Sequence, residues 1–324
     1  MPKGVGVQVP SPAPNRQATK ARKFISAATH QRWQSRAIMP TVRVDRMESI
    51  LALTSSALWG VSDFAAGVVS KRRAPLAVVG VSQAFGLLAM VIVATATSSW
   101  GANPAYLPWA IMASLCGITG LFAFYTALAT GTMGIVAPIA SCGVVVPVAV
   151  GLVGGAIPSA VQLVGIGIAI VGIVLATGPE LRGDGDPRSV TLAGVAGLMF
   201  GLVFVALGKG SESSTIMTVT TMRISSVVIL ALIALAFRSI GGVQRGDLGV
   251  LVMVGVFDAL ANVLLGISVH GSDLAIASVL GSLYPIVTIL CAWKVLNERL
   301  RQIQYLGIGL AMLGVVAITA GSTH

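Results

Sequence analysis

From Met47 to the carboxyl end, apolar runs of about 20 residues follow one another with only short polar or glycine-rich joints between them. Wound as an α-helix, a run of that length crosses the roughly 30 Å of hydrocarbon in a bilayer. The runs lie near 50–69, 76–97, 106–129, 133–153, 160–177, 190–208, 216–237, 248–268, 273–294 and 302–321, which predicts ten spans. Composition points the same way. Charged residues make up only 10% of the chain, against about 25% in soluble proteins that must clothe a surface in water. Three histidines, three cysteines and 11 acidic residues leave little material for a metal or acid-base centre, so soluble hydrolase, dehydrogenase and nucleic-acid-binding readings fall behind. An all-α polytopic membrane protein is expected.

The net charge of +10 is concentrated at the amino end. Residues 1–46 carry nine Lys/Arg and one acid, Asp45, whereas the remainder holds twelve basic and ten acidic residues. This leader has no apolar core of the secretory kind, and its opening VQVPSPAPN is too proline-rich to fold. Two readings stand: a basic segment that targets or lies on anionic lipid, or a start codon set too far upstream, with Met39 or Met47 as the true first residue. Cys116, Cys142 and Cys291 show no C-x-x-C spacing and read as packing residues.

The chain repeats itself. Residues 164–177 set on 306–319 give seven identities in 14, including Gly165/Gly307, Gly167/Gly309 and Gly172/Gly314. At nearly the same offset Trp59-Gly60 falls on Phe200-Gly201, and Gln83 on Arg223. The expected organisation is a leader over 1–46, a first repeat over 47–177, a linker over 178–189 and a second repeat over 190–321. Five spans per repeat, an odd number, would place the second copy upside down relative to the first, the plan of many secondary transporters.

Over about 48–321 the order of features resembles the drug/metabolite transporter superfamily in its ten-helix form with two EamA domains. The resemblance rests on Leu58-Trp59-Gly60, on Ala127-Leu128, and on the run from Ala275 through Tyr284-Pro285 to Asn297-Glu298-Arg299-Leu300 and Gly307. It implies ten helices as two inverted five-helix EamA repeats, and export of metabolites, amino acids or drugs. The first copy departs from the pattern: Pro147 to Gly165 is four residues shorter than Pro285 to Gly307 and has no counterpart of Glu298.

A charge inside a bilayer is costly and faces the bundle interior or a cavity. Asp63, about two turns from the end of the first span, is a candidate for binding a proton or a cationic solute; the alternative is a hydrated carboxylate paired with the Lys71–Arg73 cluster. Asp258 lies near the middle of the eighth span with Asn262 one turn on, so both point the same way. Burial disfavours its charge unless a cation answers it, and Arg223 is the expected partner. Asp258 is then either a proton carrier or half of a static pair with Arg223. Gln83 replaces the arginine in the first copy, so only the second copy is expected to form such a pair.

Pro147 and Pro285 interrupt the fourth and ninth spans at matching points, with Pro138 a further break. Proline removes a helix hydrogen bond and frees carbonyls, tolerated at membrane depth only beside protein or a cavity, and repeat-matched breaks point to a transporter's site. Ser141, Ser278, Ser282, Tyr284 and Thr288 lie beside them; the plain alternative is kinked packing with hydroxyls bonded back to the helix. Trp59 and Tyr125 either line the same cavity or pack. Trp100, Trp109 and Trp293 read as interface anchors. Glu298 reads as a cap, His270 as a lone joint residue, and the Gly-x-x-x-Gly spacings at 151–155 and 197–201 as internal packing.

The function these residues suggest is a secondary transporter working by alternating access in the plasma membrane, or the cytoplasmic membrane of a bacterium. Its partners are a small-molecule solute and lipid, with Asp63 or Asp258 as proton carrier if protons drive it. No cofactor, metal or nucleic acid is expected, and oligomeric state stays open. An intramembrane enzyme is the rival class, but no D-x-x-x-D, H-E-x-x-H or G-x-S-x-G run is present; a passive channel is a third. An even span count puts both ends on one side. The leader favours the inside, while the joint cations, among them Lys71, Arg72, Arg73, Arg182, Arg188 and Arg238, favour both ends outside.

Overall fold

The apolar stretches wind into helices because nothing within them competes for the backbone, and the breaks fall where proline or a polar run does. In this computed structural model the described residues are 46–131, 133–154, 158–177, 187–237, 242–271, 274–296 and 302–320. The helices are α1 (Arg46–Ser70), α2 (Pro75–Ala96), α3 (Leu107–Thr130), α4 (Met133–Ser141), α5 (Val145–Val153), α6 (Ala160–Thr177), α7 (Pro187–Phe237), α8 (Leu248–Gly271), α9 (Leu274–Gly281), α10 (Tyr284–Leu296) and α11 (Gln302–Ala320). No strand occurs among the described residues. Among the described residues six helical stretches, 47–70, 75–96, 104–130, 187–236, 245–269 and 276–295, are long and apolar enough to cross a membrane. All lie in one compact unit, Val42–His324. The expected leader, apart from Arg46, most of the 178–189 linker, and Glu298 with its neighbours lie outside the described residues.

One expected joint is displaced, and the fourth and ninth spans are interrupted near Pro147 and Pro285, while α4 runs unbroken past Pro138. The runs 190–208 and 216–237 do not separate at Gly208-Lys209-Gly210: the helix continues and bends once, at Ser214, where φ is −163° and ψ 110°. Ser214 Oγ accepts from Met217 N at 3.3 Å and so starts the second arm of α7. The fourth and ninth spans are each two short helices, broken at Cys142–Val144 and at residues 282–283. Each break lies just ahead of a proline, Pro147 or Pro285, whose ring clashes with the carbonyl four residues back, at Gly143 and Gly281.

The repeat can be followed atom by atom. A Cβ on Gly60 of α1 would strike Val287 and lie 2.6 Å from Tyr284 O of α10, while one on Gly201 of α7 would strike Gly143 O and lie 2.8 Å from Val146 Cβ. These are the same contact moved by 141 positions. In that register Pro285 matches Val144 and Pro147 matches Thr288, so the breaks coincide although the prolines do not. Where the second helix of one repeat meets the third of the other, Gly86 of α2 abuts Gly255 of α8 and Ser114 Oγ of α3 lies 3.0 Å from Ser226 Oγ of α7. The last helices pair too: α6 and α11 pack together, with Gly314 against Gly165 O and the backbone of Ala169.

Small residues make these approaches possible: Ala52, Ala66, Ala110, Ala113, Ala169, Ala193 and Ala196 are buried between helices. Large apolar side chains such as Leu88, Ile92, Ile111, Leu115, Phe122, Leu232 and Leu313 point outward instead, which suits a surface covered by lipid. Outward threonines bond back to carbonyls, as Thr54 Oγ1 does to Ile50 O (2.7 Å) and Thr126 Oγ1 to Phe122 O (2.6 Å), so their hydroxyls need no water. Polar links also join helix ends. Arg73 Nε donates to Asp247 Oδ2 at 2.7 Å, and Ser213 Oγ donates to Asn103 O at 2.7 Å.

The glycine contacts carry a direct test. Gly60→Ala and Gly201→Ala are expected to lower the thermal unfolding midpoint of the detergent-solubilised protein, by the equivalent of about 1–3 kcal/mol of overpacking. Gly80→Ala, where a Cβ meets nothing within 4 Å, is expected to leave it unchanged or raise it slightly, since alanine favours helix.

Candidate functional site

Inside the bundle, one side chain sets the terms. Arg223 sits in the second arm of α7, at 1% exposure, the largest fully buried side chain among the described residues. A guanidinium there must be answered by charge or acceptors. Its Nη1 donates to Asp258 Oδ2 of α8 at 2.9 Å and to Gln83 Oε1 of α2 at 2.6 Å. The Asp258 carboxylate in turn accepts from Trp59 Nε1 of α1 (3.0 Å), Asn262 Nδ2 (3.1 Å) and, at longer range, Gln83 Nε2 (3.4 Å). Four donors from four helices therefore converge on one carboxylate, and they come from both repeats.

Arg223 and Asp258 both belong to the second copy, and the first copy joins the network around them. Gln83, the repeat-mate of Arg223, meets it directly, accepting from Arg223 and donating to Asp258. An amide can do both, whereas a second arginine there would add an unanswered charge.

Beside the network lies a cavity of about 60 Å³, room for roughly four waters. Trp59, Asp63, Arg223, Asp258, Asn262 and Tyr284 face it, with Gly117, Leu121, Phe200, Val203, Phe204 and Met222 as its apolar wall. Trp59 stacks on Phe204 with centroids 5.5 Å apart and planes 22° from parallel. Asp63 is 7% exposed and feels the charge of Asp258. Among the described residues nothing donates a hydrogen bond to its carboxylate, and Arg73, from the cluster weighed as its partner, is bonded to Asp247.

Of the candidates read from the sequence, Trp59, Asp63, Asp258, Asn262 and Tyr284 come together on this wall. Tyr125, Ser141, Pro147, Ser278, Ser282 and Pro285 do not face it. Tyr125 is buried against Phe124. Ser282 Oγ bonds back to Ser278 O at 2.7 Å, and Thr288 Oγ1 lies 3.1 Å from both Gly60 O and Tyr284 O. These hydroxyls answer carbonyls around the break rather than the cavity. The apolar wall went unnoticed because an apolar residue in an apolar chain carries no mark of its own; the only signal was the repeat, which set Phe200 on Trp59. Among the described residues no group of three or more His, Cys, Asp and Glu is placed to hold a metal.

Helices that are apolar outside and close around a polar, charged centre define a multi-pass membrane protein with an internal cavity. The chain belongs to the EamA-like transporter family, whose model matches residues 46–178 and again 188–320. It is a membrane transporter of the drug/metabolite type. A solved structure titled only "Crystal structure of protein" superposes with a TM-score of 0.68 at 16% identity, covering 84% of this chain and 96% of that one, and it supports the fold. No curated protein matches the sequence.

The network predicts a non-additive pair. Asp258→Leu alone leaves Arg223 buried without a counter-ion and is expected to cost about 3–5 kcal/mol of stability, and Arg223→Met/Asp258→Leu together much less than the sum of the same two changes made singly. Thermal or denaturant unfolding of the four proteins in one detergent reads the coupling; additive costs would mean the pair is not the anchor described.

Proposed function

We propose that this chain crosses the plasma membrane, or a bacterium's cytoplasmic membrane, ten times as two inverted five-helix repeats. It exports a small metabolite, amino acid or drug by alternating access. The observation that carries this reading is the cavity walled by both repeats at the level of the buried Arg223–Asp258 pair, beside breaks that fall at matching places in the two copies. Rocking of one repeat on the other would open that cavity to each side in turn. The fused α7 counts as two spans, one per arm, and each broken helix pair, α4/α5 and α9/α10, as one.

The two acids take different parts. Asp258 is held by four donors and is the fixed partner of Arg223. Asp63 faces the cavity with no hydrogen-bond donor among the described residues, and it is the carboxylate free to take up a proton or a solute's cation. If both compete for Asp63, uptake of one expels the other, and the proton gradient drives export. The chain performs no covalent chemistry on its solute.

Proteoliposomes loaded with a pH dye test this. Solutes screened across amino acids, nucleosides and cationic drugs are expected to drive proton movement through the wild type, and Asp63→Asn to abolish that movement while the unfolding midpoint stays in place. Exchange of labelled solute without protons in wild type and mutant alike would make the protein a facilitator. Absence of any flux would remove the transport reading.

A further inference from the structure

The polar links at Arg73 and Ser213 are one contact made twice. In the 141-position register Arg73 falls on Ser214, and the short turn Pro104–Tyr106 ahead of α3 falls on Arg245–Asp247 ahead of α8. Each turn is tied to the residue before it: Asn103 Oδ1 accepts from Ala105 N at 3.1 Å, and Gln244 N donates to Asp247 Oδ2 at 3.2 Å. In each repeat, then, the joint between the first two helical arms clasps the turn that opens the third helix of the other repeat. The clasps lie at opposite ends of the bundle. Arg73 precedes α2 and Asn103 follows it, and that helix has 22 residues, a length of about 33 Å. The Arg223 network and its cavity meet α2 between the two, at Gln83.

The shared geometry carries unlike chemistry. Arg73 Nε meets Asp247 Oδ2 at 2.7 Å with both side chains largely withdrawn from water, at 21% and 10% exposure. Ser213 Oγ donates to the neutral carbonyl of Asn103, also at 2.7 Å, at an exposed site. A charge-assisted bond is roughly twice as strong as a neutral one. Asp247 also offsets Arg245 beside it; without that carboxylate, Lys71, Arg72 and Arg73 on one side of the clasp and Arg245 on the other carry like charge. We propose that the two clasps are the gates at the two ends of the cavity, and that charge makes them unequal. The Asn103–Ser213 end parts readily, while the Arg73–Asp247 end stays shut until its ion pair is screened or lost. This rests on the alternating-access reading above. Both clasps are made in this structure, and the cavity between them has room for a few waters only; a solute enters once one of them parts.

Spin-label pairs at repeat-matched, exposed positions read each gate: Lys71→Cys/Gly246→Cys across the charged clasp and Glu212→Cys/Ala105→Cys across the neutral one. They are placed in the full-length protein with Cys116, Cys142 and Cys291 changed to serine, in lipid nanodiscs. At low salt the long-distance population is expected to be greater at Glu212/Ala105 than at Lys71/Gly246, by about two- to fivefold. Asp247→Asn, which leaves an amide able to tie the turn, is expected to raise the long-distance population at Lys71/Gly246 to at least that of the other end. Ser213→Ala should lengthen Glu212/Ala105 alone. Should Asp247→Asn fold poorly, raising salt to about 1 M, where screening reaches about 3 Å, is expected to open Lys71/Gly246 selectively in the otherwise unaltered chain. Equal opening at the two ends at low salt, both ends lengthening together in each variant, or one fixed distance at both ends throughout would overturn the proposal. Solute flux into proteoliposomes keeps the two readings apart. Selective opening without any flux would end the transport reading and leave two hinged clasps, whereas flux that persists while neither end responds to its own variant would end this proposal alone.

Discussion

A guanidinium buried in an apolar bundle is tolerable only if its surroundings are fixed to receive it, and Arg223 dictates much of the interior on that account. Asp258 must sit on the adjacent face of α8, Gln83 must present its carbonyl oxygen from α2, and Trp59 and Asn262 must hold the far side of the carboxylate. Those demands tie α1, α2, α7 and α8 at one point. The apolar packing around it is non-directional and would accept small shifts. The ion pair and its bonds accept few, so they set the register between the two repeats.

The repeat is what lets such a cluster form. When two copies of one unit meet face to face, equivalent positions come close near the centre, and there the sequence departs from equality: glutamine stands in one copy, arginine in the other. Phe200 stands where the first copy has Trp59. The copies keep their shared shape through glycines at Gly60 and Gly201, and they divide the chemistry between them at the centre.

Much of this was legible in the chain. Run length located most helices within a few residues, and the rule that charges in hydrocarbon face inward singled out Asp63, Arg223 and Asp258. Other features had no local mark. A helix buried on most sides has no polar face to betray which apolar residues turn toward a cavity, so Leu121, Val203, Phe204 and Met222 looked like their neighbours. Gly208-Lys209-Gly210 reads as a joint from its glycines and its charge, yet lysine is compatible with helix and the backbone stays helical up to Ser214. In the sequence Gln83 reads only as the uncharged mate of Arg223, although an amide that both donates and accepts is what a buried ion pair can use.

The glycine contacts have a bearing on how such a body can move. At Gly60 and Gly201 the helix surface is bare backbone, and a valine of the facing helix, Val287 or Val146, seats in the notch beside a backbone carbonyl, Tyr284 O or Gly143 O. A knob in a notch is held against travel along the helix, yet with no side chain opposing it the two helices can still turn about the point of contact. The two matched contacts therefore act as a pair of pivots, and the directional bonds at Arg223 are left to decide the angle at which the two halves come to rest.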